Sequence, residues 1–277
     1  LRVVSRWGAN GTIQGTTYTA WGKANIVNAN PSIASVTYKD INSTIQAILG
    51  NDQKILRSKS NLQVTAGLAK SQKGASLASY KVTIGGNEYS ASASGTEQDG
   101  REINVGKVNQ AANQTAVLTV IDSRNNTASR SFTVQMIDYM EPQILQASAD
   151  RLNNYERPTD MNIEARRAVV KPGSVDVNEI YLRYRIKENP SGSYGNWINL
   201  TRQNGSISGI WQSVTVSQYM ADYPNNKSYT VEVGISDKFT DWDNMLVLLP
   251  EGIALLRFLQ DRIDAGVPIY DQATGQP

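Results

Sequence analysis

Apolar and polar residues alternate with a period of two along most of this chain, the pattern of strands with one face buried. ASVTYKDI (34–41), TIQAIL (44–49), NLQVTAGL (61–68), SLASYKVTI (76–84), REINVGKV (101–108), TAVLTVID (115–122) and SRSFTVQMI (129–137) all read this way. Gly, Asn, Ser and Asp separate them. GGN at 85–87 predicts a tight hairpin turn, since adjacent glycines accept positive φ. In VLTVIDSRNNTASRSFTV (117–134), two alternating runs flank Asp122, Arg124, Asn125 and Asn126, residues that form turns by bonding their own backbone. So many short strands in about a hundred residues predict an antiparallel β-sandwich. No segment before residue 250 shows sustained helical periodicity.

The pattern breaks at DYMEPQI (138–144), where Pro142 cannot donate to a ladder, and a boundary is placed there. A second series follows: MNIEARRAVV (161–170), EIYLRYRIKE (179–188), NWINLTR (196–202), WQSVTVS (211–217) and SYTVEVGISDK (228–238). The expected organisation is an N-terminal segment over 1–30, sandwiches over 31–138 and 142–250, and a terminal element over 251–277. In that last piece Leu255, Leu256, Leu259 and Ile263 suit a helix stopped by Gly266 and Pro268. Two short strands meeting at Gln260–Asp261 are equally open. LRVVSRWGANGT lacks an apolar leader and an initial Met, so the chain is expected to be a fragment or a processed product.

Composition narrows the chemistry more than the fold. The 277 residues include neither Cys nor His. Disulfides, thiolate nucleophiles, Ser-His-Asp triads and His-ligated zinc are therefore outside the reach of this sequence. With 27 basic and 25 acidic residues the net charge is +2, which gives no support for nucleic-acid binding. No run approaches the roughly 18 apolar residues of a membrane span.

Three groups of residues invite a chemical reading. Asp237, Asp241, Asp243 and Asn244 offer four oxygen donors within eight residues, enough to suggest a loop for Ca²⁺. Their spacing is not that of an EF-hand, and a solvated turn is the plainer reading. Glu97, Asp99 and Glu102 are the nearest thing to a glycosidase pair, but they sit in a Gly-bounded loop with no apolar surroundings to raise a pKa. Trp197 and Trp211 lie beside strands and are assigned to packing. Trp242, between Asp241 and Asp243, is harder to bury and is the better candidate for a surface or ligand contact. No catalytic residue and no cofactor are expected.

ANPSIASVTYKDINSTIQAILGNDQKILRSKSNLQVTAG carries a more specific likeness. Pro31, Tyr38 with Asp40, the Gly50–Asn51 turn, Ile55 with Leu56, and Ser60 with Val64 stand at the marked positions. The stretch resembles the Ig-like region of virion structural proteins, minor tail or tail-tip, of tailed phages that infect Gram-positive bacteria. SLASYKVTIGGNEYS, TVIDSRNNTASRSFTV, YLRYRIKE and YTVEVGISDK continue it. YPNNKSYTVEV is similar to the approach to strand F of fibronectin type III-like domains, with Tyr229 at the corner position. EGIALLRFLQDRIDAGVPIYD resembles the hairpin that closes such modules, with Asp261 at the turn but Arg262 where Gly is usual.

The resemblance implies two tandem Ig-like or fibronectin-like sandwiches and a non-enzymatic virion protein of the tail tip, baseplate or fibre, extracellular in the assembled phage. Its expected partners are other virion proteins, including copies of itself that cover exposed sheet edges. Host cell-wall saccharide is a further expected partner; nucleic acid and membrane are not. A carbohydrate-binding adhesin module and a capsid or neck decoration are the alternatives.

Overall fold

The structure is a computed structural model that describes residues 28–252, together with the backbone of 2–4, 19–21, 256–259 and 262–265. The chain is all-β, two tandem sandwiches of the Ig or fibronectin kind, antiparallel except where Lys54–Leu56 runs parallel to Thr127–Ile137. The described strands before Pro142 form a five-stranded sheet, two three-stranded ones and a two-stranded pair. The strands over 143–249 form two four-stranded sheets, and no sheet mixes strands from the two sides of Pro142. By contact density the chain makes two compact units. Residues 1–37, 65–103 and 117–132 form one, and 38–64, 104–116 and 133–277 form the other.

Within the first unit, Leu77–Ile84 pairs with Asn87–Ser92 on one side and with Gln114–Asp122 on the other. The GGN hairpin is present as expected: Ile84 pairs with Asn87, and Gly85 and Gly86 take φ of 57° and 82°. At the other expected hairpin, Asp122 accepts from the backbone N–H of Arg124 and of Asn126 at 2.9 and 2.8 Å. Asn125 supplies the left-handed residue, with φ 64°. The cluster is a turn, and its carboxylate is a backbone cap.

One expected strand is a helix. TIQAIL lies within Ser43–Leu49, an α-helix. The Asn42 side chain accepts from the Ile45 N–H, and Gly50 closes the C-terminus at φ 63° with its N–H donating to the Gln46 carbonyl. Ile45 and Leu49, four apart, fall on one face and are buried. The alternation in so short a run fits both periods, and the Asn-cap with Gly-stop decides for the helix.

In the second unit the inward residues of both four-stranded sheets interdigitate. Met161, Ile163, Val214 and Val216 face Ile180, Leu182, Tyr184, Val231, Val233 and Ile235. Three strands escaped the sequence reading. Gln143–Arg151, Gln203–Ser208 and Thr240–Leu249 complete the sheets, and the last absorbs the Asp-rich segment that had been read as a turn. Beyond residue 250, Leu256–Leu259 pairs antiparallel with Arg262–Ala265, so the hairpin alternative holds and the helix does not. The remaining residues of 1–27 and 253–277 lie outside the described set, apart from the antiparallel pair Arg2–Val4 and Thr19–Trp21.

Candidate functional site

Asp237 ends the strand Tyr229–Asp237 and is buried. Its carboxylate accepts the Tyr139 hydroxyl (3.0 Å to each oxygen), the Asn178 amide (2.9 Å), the Phe239 N–H (2.9 Å) and the Thr240 hydroxyl (3.0 Å). Those donors use the lone pairs a cation would need. Asp241 and Asp243 stand exposed on the next strand, two apart and so on one face, and Asp243 accepts from the Asn244 N–H. The structure does not bring the four oxygen donors together. Among the described residues no group of three or more acidic, His or Cys residues is placed to hold a metal.

The other acidic group is equally dispersed. Glu97 pairs with Lys70 at 2.9 Å, the Asp99 carboxylate accepts from the Gly100 N–H, and Glu102 is exposed. Glu97 lies on the two-residue strand Glu97–Gln98, Asp99 just after it, and Glu102 on the next strand, Arg101–Gly106.

The aromatic residues assemble a different feature, on the outer face of the sheet that contains Ile180–Glu188. The Arg183 guanidinium lies between two indoles, 4.0 Å from the centre of Trp197 and 3.7 Å from that of Trp242. Arg185, next on the same face, sits 4.5 Å from both Trp197 and Tyr194, and Lys187 is 5.1 Å from Tyr194. Aromatic faces carry negative quadrupole density, so alternating cations and rings attract along the row. Trp197 is thus half-exposed on the outside of the sheet, where packing in the core had been expected. Trp211, 4.1 Å from Arg166, belongs to a separate pair on the other sheet.

Register explains how Arg183 reaches Trp242. Asn199, Arg183, Gly234 and Asn244 are successive cross-strand partners in one row. A Cβ at Gly234 would meet Arg183 Cγ and Nε at 3.2 Å and Asn244 Oδ1 at 2.9 Å. The missing side chain is the passage through which the arginine crosses the central strand. In the row beside it, Arg185 pairs with Glu232 at 2.6 Å. Burial, and then Arg185 alongside, pull the Arg183 pKa down from the ordinary guanidinium value.

Trp242 also lines a cleft of about 380 Å³ with Tyr181, Leu182, Asn199, Leu200 and Arg202. Sequence reasoning found Trp242 but missed Arg183 and Arg202. The available signal was the outward series Arg183, Arg185, Lys187 in YLRYRIKE, three cations two apart on a strand whose other face is apolar.

Residues 6–256 match a family described as siphovirus proteins of unknown function. The chain belongs to this family. It is therefore a protein of a tailed phage, as its Ig-like region suggested. No curated protein matches it. Among solved structures, a Ca²⁺-stabilized ice-binding adhesin of an Antarctic bacterium is 15% identical, with a TM-score of 0.38. The match covers 90% of this siphovirus chain and 55% of the adhesin chain, so the siphovirus chain spans little more than half its length. Rst D1-D2 is 9% identical over 79% of this chain and 98% of its own, with a TM-score of 0.30. Fibronectin(III)-like modules of CbhA from Clostridium thermocellum are 8% identical over 71% of this chain and 88% of theirs, with a TM-score of 0.22.

Proposed function

We propose that this siphovirus protein is a non-enzymatic structural component of the virion, in the tail tip, baseplate or fibre. It works by subunit association and by displaying a face toward the host surface. The association half is carried by one observation. Thr240–Leu249 is the edge strand of its sheet, and it holds Leu246 and Leu248 outward, 64% and 62% exposed. An edge with unpaired backbone groups and bare leucines is normally covered by a partner. In this reading a neighbouring subunit of the virion covers it.

The placement of the acidic residues supports association over catalysis. Among the described residues the buried carboxylates Asp40, Asp122, Glu232 and Asp237 each accept from structural donors, and the exposed acidic residues are scattered. A reconstruction of the virion with this protein labelled tests the proposal through position, copy number and symmetry. Absence of the label from purified virions would refute it. Clearing of host cell wall by the isolated chain in a zymogram would refute the non-enzymatic part alone.

A further inference from the structure

We propose that the outer face of the second sandwich holds a binding site for an anionic saccharide, a sugar bearing a carboxylate or a phosphate, between Arg183, Arg202 and Trp242. The proposal deepens the display half of the preceding reading and rests on it. It starts from a difference in pairing. Arg185 has Glu232, and Arg202 has Glu179 at 2.8 Å, but Arg183 makes no ion pair and no hydrogen bond among the described residues, and the Glu232 charge that acts on it is already paired with Arg185. Its Nε is buried without a partner, and so is that of Arg202. Buried donors left unmet cost free energy, and a guanidinium fork is shaped to satisfy a carboxylate or phosphate. The two indoles hold that fork flat, so little motion remains to be frozen on binding.

A stack that served only as a brace would have no need of a cation without an ion pair of its own, as the neighbouring Arg185–Glu232 pair shows. The cleft beside it supplies the rest of a sugar site. Trp242 offers an aromatic surface for the apolar face of a pyranose, the Asn199 amide is suited to ring hydroxyls, and the Tyr181 hydroxyl, which donates to Glu179 at 3.3 Å, keeps its oxygen to accept from one. Its volume, about 380 Å³, is that of a small-ligand cleft. An acidic peptide is a poorer occupant. Extended peptides gain affinity by adding to a sheet edge, whereas Arg183 lies on a strand flanked on both sides, by Ile198–Asn199 and Tyr229–Asp237.

The test is a tryptophan-fluorescence titration of the full chain with trigalacturonate, glucose 6-phosphate, neutral maltotriose and tetraglutamate, at low and high salt. Saturable quenching by at least one of the anionic sugars, weakened by salt, with no saturation by maltotriose or tetraglutamate, is the expected result. Arg183→Gln should weaken that binding by about tenfold or more, the effect of losing a charge-assisted hydrogen bond. Because Arg183→Gln also disturbs the indole stack, Arg202→Gln, outside the stack, serves as the second variant and should weaken binding similarly. The proposal falls if neither anionic sugar saturates, if maltotriose or tetraglutamate binds as well, or if both variants bind like the parent. These outcomes are independent of whether the labelled protein is found in the virion, so the two readings can fail separately.

Discussion

The Tyr139 hydroxyl donates to the Asp237 carboxylate from 3.0 Å, and its ring meets Phe239 edge-on with centroids 5.3 Å apart. Around this pair the helix Ser43–Leu49, through Ile45 and Leu49, shares an apolar cluster with Leu56, Ala168 and Val170. Burial first, then the Asp237 charge, push the Tyr139 pKa up, so the phenol stays protonated and donating across the physiological range. Tyr139→Phe keeps the ring but removes a donor from a buried carboxylate. The expected loss is about 1–3 kcal/mol in urea unfolding, with the m-value unchanged.

Arg151 is a second buried centre with no motif to announce it. Its guanidinium donates to the carbonyls of Pro250 (2.9 Å), Tyr223 (2.7 Å), Pro224 (2.9 Å) and Lys227 (3.0 Å). One side chain thereby ties together chain segments about seventy and a hundred residues downstream. Arg151→Ala should cost about 3 kcal/mol or more, because it strands several carbonyls at once. Arg151→Lys should recover only part, since an ammonium cannot reproduce the planar fork. Thermal melts of the two variants beside the parent check both the size and the order.

The contrast between these residues and the strands shows what the sequence made legible. Alternation revealed SLASYKVTI and TAVLTVID because one face of each meets a core and the other is at least partly open to water, and SYTVEVGISDK because Tyr229, Val231, Val233 and Ile235 alternate with polar or small residues although both faces are covered. It failed for TDWDNMLVLL, where Trp242, Leu246 and Leu248 are apolar on the outward face and Asp241 and Asp243 interrupt the other. Asp237 was visible as a carboxylate, but its partners Tyr139 and Asn178 are 98 and 59 residues distant. Trp242 stood out by type alone. Arg183 and Gly234 gain meaning only from cross-strand register, which no local window contains.

Gly234 therefore makes a specific prediction. Gly234→Ala adds a methyl where Arg183 and Asn244 already approach to 3.2 and 2.9 Å, so the arginine must shift against the Trp242 ring. The tryptophan emission should shift, while the fold survives with a loss of about 1 kcal/mol, the scale of an exposed cation–π contact. Fluorescence and a urea melt of the same sample read the two effects. An unchanged spectrum would mean that the arginine does not depend on this passage.

The helix Ser43–Leu49 has only seven residues, so its ends should matter more than its interior. Asn42→Ala removes the side-chain acceptor for the Ile45 N–H and also the Asn42 amide donor to the Lys59 carbonyl. A loss of about 1 kcal/mol is expected from the cap alone. Gly50→Ala should cost about as much by a different route. Nothing lies within 4 Å of the added Cβ, and the penalty is the φ of 63°. Asn42→Asp should retain most of the capping stability, and urea midpoints of the three variants test that ranking.

Asp122 gives the turn a pH dependence of definite sign. The Asn126 side chain first, and then the N–H groups of Asn126 and Arg124, hold its carboxyl below the usual carboxylate range. A group whose folded pKa is depressed binds its proton more weakly in the native state than in the unfolded chain. Its contribution is complete above the unfolded value, near about 4, and is lost as pH falls through the folded one. Asp122→Asn keeps the shape but replaces one carboxylate oxygen with a donor. It should lower the urea midpoint at pH 7 and flatten its fall on acidification. Midpoints between pH 7 and pH 2 for parent and variant give the answer: parallel curves would show that Asp122 does not contribute to the acid limb.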